Sequence, residues 1–211
     1  YFKGLILNNY FWFIIYNGIV LPFIFFIAFF ASIFSSKVRE GLKGRLNTKK
    51  QLEVFSNKKK ANEDIYWFHA ASLGEFYEIK PIIKGMKKTR KNNLIIVSFF
   101  SPSGFNNAFS SAMDLKIYLP FDFLWSILKA LTFIRPKKII FSSTDIWPNL
   151  LWACKFKNIH LSIVSAKIQR TSIKFSPIVR NFYKTIYSLF NNIYTITQED
   201  KIIFKELIGS H

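Results

Sequence analysis

The residues with most capacity for chemistry lie in short polar segments between apolar runs. The first segment is His69-Ala70-Ala71-Ser72-Leu73-Gly74-Glu75. Ser72 and Gly74 are small and suit a turn that presents backbone N–H groups to a ligand. Glu75 falls where a helix would begin, and the positive end of the helix dipole favours its ionised form. A carboxylate in that position can take a proton from an incoming hydroxyl. Spacing alone equally describes an ordinary first-turn glutamate and favours that plainer role. His69 closes an apolar run and fits a hydrogen-bonded structural histidine.

Three further segments have the same character. Ser101-Pro102-Ser103-Gly104 offers a hydroxyl and free N–H groups at a helix start, which can cap the helix or hold an anion. In Ser142-Ser143-Thr144-Asp145-Ile146-Trp147-Pro148-Asn149, Thr144 or Asp145 can cap a helix whose first turn tolerates Pro148. Val164-Ser165-Ala166-Lys167-Ile168-Gln169-Arg170 supplies cations that either meet phosphate or stay solvated.

The elements that position these segments follow from periodicity. Apolar runs at Ile65–His69, Leu94–Phe100, Lys116–Leu119, Lys138–Phe141, His160–Val164 and Tyr194–Thr197 are expected as strands. The stretches Glu75–Lys88, Gly104–Ala112, Phe123–Ile134, Trp147–Phe156 and Ser176–Phe190 are expected as helices. Continuous apolar strands alternating with helices predict an α/β fold, a Rossmann-like parallel sheet with helices on both faces. Ligands gather at the carboxyl ends of such strands, where the four segments lie. Neither GxGxxG nor GxxxxGK[ST] occurs, which argues against a dinucleotide site or a P-loop.

Upstream, no charged residue occurs from Tyr10 to Phe34. At helical rise that run reaches about 37 Å, against roughly 30 Å for a hydrocarbon core. Residues 1–36 are therefore expected as a membrane anchor, with Asn17, Gly18 and Pro22 kinking it or making it re-entrant. A buried core helix is the alternative. Residues 37–62 are rich in Lys and Arg, with few acidic residues. They form an expected basic juxtamembrane segment attracted to anionic headgroups by about 1 kcal/mol per cation, or a solvated linker. By the positive-inside tendency, the domain at 63–211 faces the cytoplasm.

Half of the 211 residues are hydrophobic, and the net charge is +18. A chain that basic suits an anionic partner, whether nucleic acid, anionic lipid or a phosphorylated substrate, although part of the bias is the Lys-rich background. The lone cysteine, Cys154, excludes an intrachain disulfide and a Cys-based metal site. His69, His160 and His211 are too dispersed for a metal motif.

Taken in order, the segments resemble those of the Kdo (3-deoxy-D-manno-octulosonic acid) transferase family, inverting GT-B glycosyltransferases. His69–Glu75 resembles its His-Ala-x-Ser-x-Gly-Glu motif, the most specific match. Ser101–Gly104 resembles its Thr/Ser-Pro-x-Gly loop, Tyr118-Leu119-Pro120-Phe121-Asp122 its Tyr-x-Pro-x-Asp segment, and Asp145–Asn149 its acidic-x-Trp-Pro-Asn motif. The apolar N-terminus and Gly44-Arg45 also fit. The resemblance covers nearly the whole chain but only the family's N-terminal half. It implies transfer of Kdo from CMP-Kdo to a lipid A precursor at the cytoplasmic face of a bacterial inner membrane. It makes Glu75 the general base, and Ser72, Gly74, Ser101, Ser103, Gly104, Asp145 and Lys167 substrate-binding. It implies no cofactor, no metal and no nucleic-acid partner, with the nucleotide held by a C-terminal domain this chain lacks. The chain alone is expected to be inactive.

Two positions depart from the pattern. Ser143 stands where a second acidic residue is frequent, and Ser165-Ala166-Lys167 where an Asn-Ala-Arg segment is common. Lysine there forgoes bidentate phosphate recognition. Two rivals remain at this level: a membrane-associated GT-B enzyme using a UDP-sugar, and a membrane-tethered nucleic-acid-binding protein, for which no recognition motif is present.

Overall fold

The computed structural model describes residues 2–209, with side chains from residue 9 onward. Six strands form one sheet: β1 (Asp64–Ala70), β2 (Asn93–Phe99), β3 (Leu115–Tyr118), β4 (Lys138–Ser142), β5 (His160–Ala166) and β6 (Asn192–Thr195). Their order is β3-β2-β1-β4-β5-β6 and every pairing is parallel, so the sheet is Rossmann-like, as the sequence predicts. The strand order reverses between β1 and β4, whose carboxyl ends carry the His69–Glu75 and Ser142–Asn149 segments.

Helices cover both faces. On one side α4 (Leu73–Thr89) and α5 (Pro102–Asn107) bury Phe76, Ile79 and Ile83 against Phe68, Ile95 and Val97. On the other, α6 (Leu124–Ile134), α7 (Pro148–Phe156), α8 (Arg180–Tyr187) and α9 (Gln198–Ile208) cover Trp67, Ile96, Ile139 and Phe141. Successive strand residues point to opposite faces, so Trp67 and Phe68 enter different cores, and both faces demand apolar side chains. Two helices are shorter than expected. The Ser101 hydroxyl accepts from the Gly104 N–H and starts α5 at Pro102, and Ala108 is already extended. Before α8 the chain makes a 3-10 turn at Ile173–Phe175, so the helix begins only at Arg180.

The N-terminal apolar run is helical through its described length. Helix α1 (Phe2–Ile15) runs through a π-helical turn at Tyr16–Val20 into α2 (Leu21–Phe34). Pro22 has no N–H to donate, and the Leu21 N–H reaches back five residues to the Tyr16 carbonyl. The widened turn absorbs the proline that would otherwise break the ladder. Residues Asn9–Phe34 are long and apolar enough to cross a membrane, and little of their surface is buried.

This helix is nevertheless fixed to the domain. The Tyr16 hydroxyl donates to Asp122 Oδ2 at 2.8 Å. The amides of Asn17 and Asn149 bond reciprocally at 3.0 and 2.8 Å. Asp122 also accepts from the N–H groups of Asn149 and Leu150 at 3.1 and 3.0 Å, so it caps α7 from a distant loop. The expected caps, Thr144 and Asp145, do not serve: α7 is flanked by Trp147 with no local side-chain cap.

The basic segment is no solvated linker either. Most of it is α3 (Ser36–Asn57), which folds back along α2 and docks on the domain. Leu52 is fully buried, and the Thr48 hydroxyl donates to the Tyr118 carbonyl at 3.0 Å. At Gly44 a Cβ would lie 2.3 Å from the Tyr118 ring, so only glycine lets α3 approach this closely.

Candidate active site

The site is assembled from the loops after β1, β2 and β4. After β1, Ser72 is extended and its hydroxyl accepts from the Glu75 N–H at 3.4 Å, starting α4. Glu75 is thus in the first helical turn, and its Oε2 reaches back to accept from the Ala71 N–H at 2.6 Å. Among the described residues its Oε1 accepts no hydrogen bond. The side chain is half-buried. Burial pushes the Glu75 carboxyl above the usual range; the Ala71 N–H opposes this, while Asp145 and Glu78 add to it. A carboxylate held by one oxygen, with raised basicity and a free second oxygen, is suited to accept a proton.

Behind Glu75 lies a closed network. His69 is fully buried. Its Nδ1 is 2.9 Å from the Ser98 hydroxyl, which also accepts from the Trp67 indole at 2.8 Å and points at the Phe68 carbonyl at 3.4 Å. The Trp147 indole N–H donates to His69 Nε2 at 3.1 Å and is shared with Asp145 Oδ2 at 3.2 Å. The donors and acceptors balance when His69 is neutral with its proton on Nδ1, since Nε2 must accept from Trp147. His69 is therefore the satisfied structural histidine the sequence predicts, and it orients the Trp147–Asp145 pair.

The loop after β4 turns sharply, with Ser143 in the left-handed region at φ 60°. This turn brings Asp145 to the Glu75 side. The Ser142 hydroxyl lies 3.1 Å from the Glu75 carbonyl and 3.2 Å from Glu78 Oε2, which ties α4 to β4. Glu78, Asp145 and Glu75 thus form one acidic cluster, and Glu78 was not anticipated. Its spacing of three residues from Glu75 on one helix was the available signal.

The expected loop residues converge in part. The Ser101 N–H donates to the Ala71 carbonyl at 2.9 Å, joining the first and second loops. The Ser101 hydroxyl caps α5, while Ser103 is exposed beside it at 3.3 Å. A Cβ on Gly104 would meet Leu73 N at 3.2 Å and Phe99 Cδ1 at 2.9 Å, so this glycine permits the two loops to touch. Gly74 is exposed, helical and open to solvent; its lack of a side chain leaves the start of α4 uncovered. Lys167 is exposed beyond β5, close enough to Asp200 to favour its ionised form, and no contact joins it to the Glu75 cluster among the described residues. The cation near Asp145 is instead Lys174, whose Nζ donates to the Tyr187 hydroxyl at 2.9 Å and the Thr144 carbonyl at 3.3 Å. Burial lowers its pKa to about 8, with Asp145 opposing the shift. It lies in an irregular segment with no periodic signal.

The profile of the family described as 3-deoxy-D-manno-octulosonic-acid transferase (kdotransferase) matches residues 41–211. The 3-deoxy-D-manno-octulosonic acid transferase of Haemophilus influenzae is 28% identical over 138 residues, covering 64% of this chain and 32% of that protein. The enzyme of the same name from Aquifex aeolicus is 29% identical over 141 residues, covering 66% and 36%. Among solved structures, the UDP-GlcNAc 2-epimerase of Neisseria meningitidis aligns with TM-score 0.49 and 15% identity over 70% of this chain and 44% of that one. The class is that of a glycosyltransferase domain. More narrowly, the chain belongs to the 3-deoxy-D-manno-octulosonic-acid transferase family. It spans about a third of the length of these curated relatives.

Proposed function

We propose that the complete protein transfers Kdo from CMP-Kdo to a hydroxyl of a phosphorylated lipid A precursor, with inversion, at the cytoplasmic face of a bacterial inner membrane. The domain at 63–211 supplies the acceptor side, and transfer also requires a donor-binding domain. Glu75 is the general base. The acceptor hydroxyl gives its proton to Glu75 Oε1 as its oxygen attacks the anomeric carbon. The bond to CMP breaks on the opposite face, and CMP leaves with the electron pair. Burial, with Asp145 and Glu78 nearby, raises the basicity of Glu75 for this step. Ser72, Gly74, Ser101, Ser103 and Gly104 line the acceptor side, while Lys167 meets phosphate from the rim.

The observation that carries the reading is the Glu75 carboxylate itself: half-buried at the carboxyl end of β1, anchored through Oε2 to Ala71 and unbonded at Oε1. The exposed apolar helix and the charge of +18 support a phosphorylated, membrane-embedded acceptor. The test is Glu75→Gln in the complete protein, assayed with CMP-Kdo and lipid A precursor. Loss of a positioned base lowers turnover by about 10²–10⁴-fold. A rate near wild type removes Glu75 from the mechanism.

A further inference from the structure

A cleft of about 260 Å³ lies between the α2–α3 hairpin and the loops after β2, β3 and β4. Its walls are apolar: Ile24, Phe25 and Ala28 from α2, Val38 and Leu42 from α3, and Phe121 from the loop after β3. Ile24 and Phe25 remain 50% and 40% exposed, unlike the residues of either core. A water occupies roughly 30 Å³, and a methylene has similar bulk, so the cleft takes about eight such groups in a row. That is the size of a single alkyl chain.

The α3 side of the cleft carries cations. Arg45 lines it, with Lys37 on the same wall. The Arg45 guanidinium donates to the Gly41 carbonyl at 2.7 Å and the Phe100 carbonyl at 3.0 Å, and it lies over the Phe100 ring at 4.6 Å. Burial lowers its pKa to about 10. Among the described residues no carboxylate lies within ion-pair distance of it. A partly desolvated guanidinium without a counter-ion is costly, and a phosphate is the anion whose geometry its fork matches. Two bonds to carbonyls leave its remaining N–H groups available.

The cleft also adjoins the candidate active site. Trp147 forms part of its wall, and the indole N–H of the same residue bonds His69 and Asp145. An amphiphile seated here would have its apolar chain on one side of Trp147 and the acidic cluster on the other.

We infer that this cleft binds one acyl chain of the phosphorylated acceptor lipid, with a phosphate of that lipid held by Arg45. The identity of the occupant rests on the transferase reading; the cleft and its cation do not. The alkyl chain packs against the exposed sides of Ile24 and Phe25, and the Arg45–phosphate contact fixes how far the chain enters.

The test is photo-crosslinking of the complete protein in detergent with dodecyl phosphate carrying a diazirine at its terminal methyl. Adducts mapped by mass spectrometry are expected on α2, α3 and Pro120–Phe123. Leu42→Trp fills the cleft and lowers capture there about tenfold or more, equivalent to 1.4 kcal/mol. Ala28→Phe, on the opposing wall, does the same and guards against a misfolded variant. Arg45→Met lowers capture of dodecyl phosphate but not of the matching dodecanol probe. Excess lipid A precursor displaces the label, and an equal amount of phosphatidic acid does not. Capture that is indifferent to both cleft-filling variants overturns the site. Displacement by phosphatidic acid as effective as by the precursor makes it a bilayer-lipid site and overturns the acceptor assignment. Because capture needs no donor sugar, a protein that holds the label and responds to the precursor but transfers no Kdo counts against the transferase reading alone.

Discussion

The indole N–H of Trp147 donates to Nε2 of the buried His69 at 3.1 Å, linking the loop after β4 to the carboxyl end of β1. The bond fixes the tautomer of one residue and the orientation of the other, and through Trp147 it places Asp145. Trp147→Phe keeps the ring but leaves a buried imidazole nitrogen without a donor. An unsatisfied buried acceptor costs about 1–3 kcal/mol. Urea unfolding of this variant should show a loss of that size, and turnover should fall as well because Asp145 is no longer held. Unchanged stability would mean that solvent reaches His69.

Under the transferase reading, the acidic cluster should set the pH response of turnover. Burial, with Asp145 and Glu78 nearby, raises the Glu75 carboxyl above the ordinary range. A base acts in its ionised form, so the acid limb of kcat/KM should lie above the ordinary glutamate pKa. Glu78→Gln removes one like charge and should move the limb to lower pH without abolishing activity. A limb that stays in place, or moves upward, would show that Glu75 is not the group being titrated.

Two glycines in helices should respond oppositely to alanine. At Gly85 in α4 a Cβ meets nothing within 4 Å, so Gly85→Ala should stabilise by about 0.5–1 kcal/mol. At Gly44 in α3 it would sit 2.3 Å from the Tyr118 ring. There overpacking of about 1–3 kcal/mol outweighs the gain in helix propensity. Thermal unfolding of the pair distinguishes docked α3 from a free amphipathic helix, in which both substitutions would stabilise.

Much of this architecture is legible in the sequence because a parallel sheet buried on both faces writes itself as continuous apolar runs; Leu94–Phe100 and His160–Val164 are recognisable for that reason. The loop segments are legible because they directly follow those runs. What periodicity does not report is long-range satisfaction of polar groups. Asp122 caps α7 from a loop 27 positions away, and Thr144 and Asp145 seemed the obvious caps only because they are near in sequence. The basic segment resembled a linker because its charges hide the stripe that includes Thr48 and Leu52. Lys174 was invisible because its place beside Asp145 depends on an irregular turn, whereas Lys167, in the expected segment, points to solvent.

The Asp122 cluster gives the fold its own pH signature. The carboxylate is fully enclosed, and burial pushes its pKa up to about 7, against the opposing bonds from Tyr16, Asn149 and Leu150. Its folded pKa is raised, so between the ordinary aspartate value of about 3.9 and about 7 the folded state binds more protons than the unfolded state. Stability contributed by this site is therefore fully present at the acid end of that window and declines as pH rises through about 7. Asp122→Asn cannot titrate, so the stability difference between wild type and variant should vary across the window and be flat above it. The variant should also be weaker overall, because an amide cannot accept from Tyr16, Asn149 and Leu150 as a carboxylate does. If the difference were independent of pH, Asp122 would carry the same proton in both states, and the contact between the N-terminal helix and α7 would be open to water.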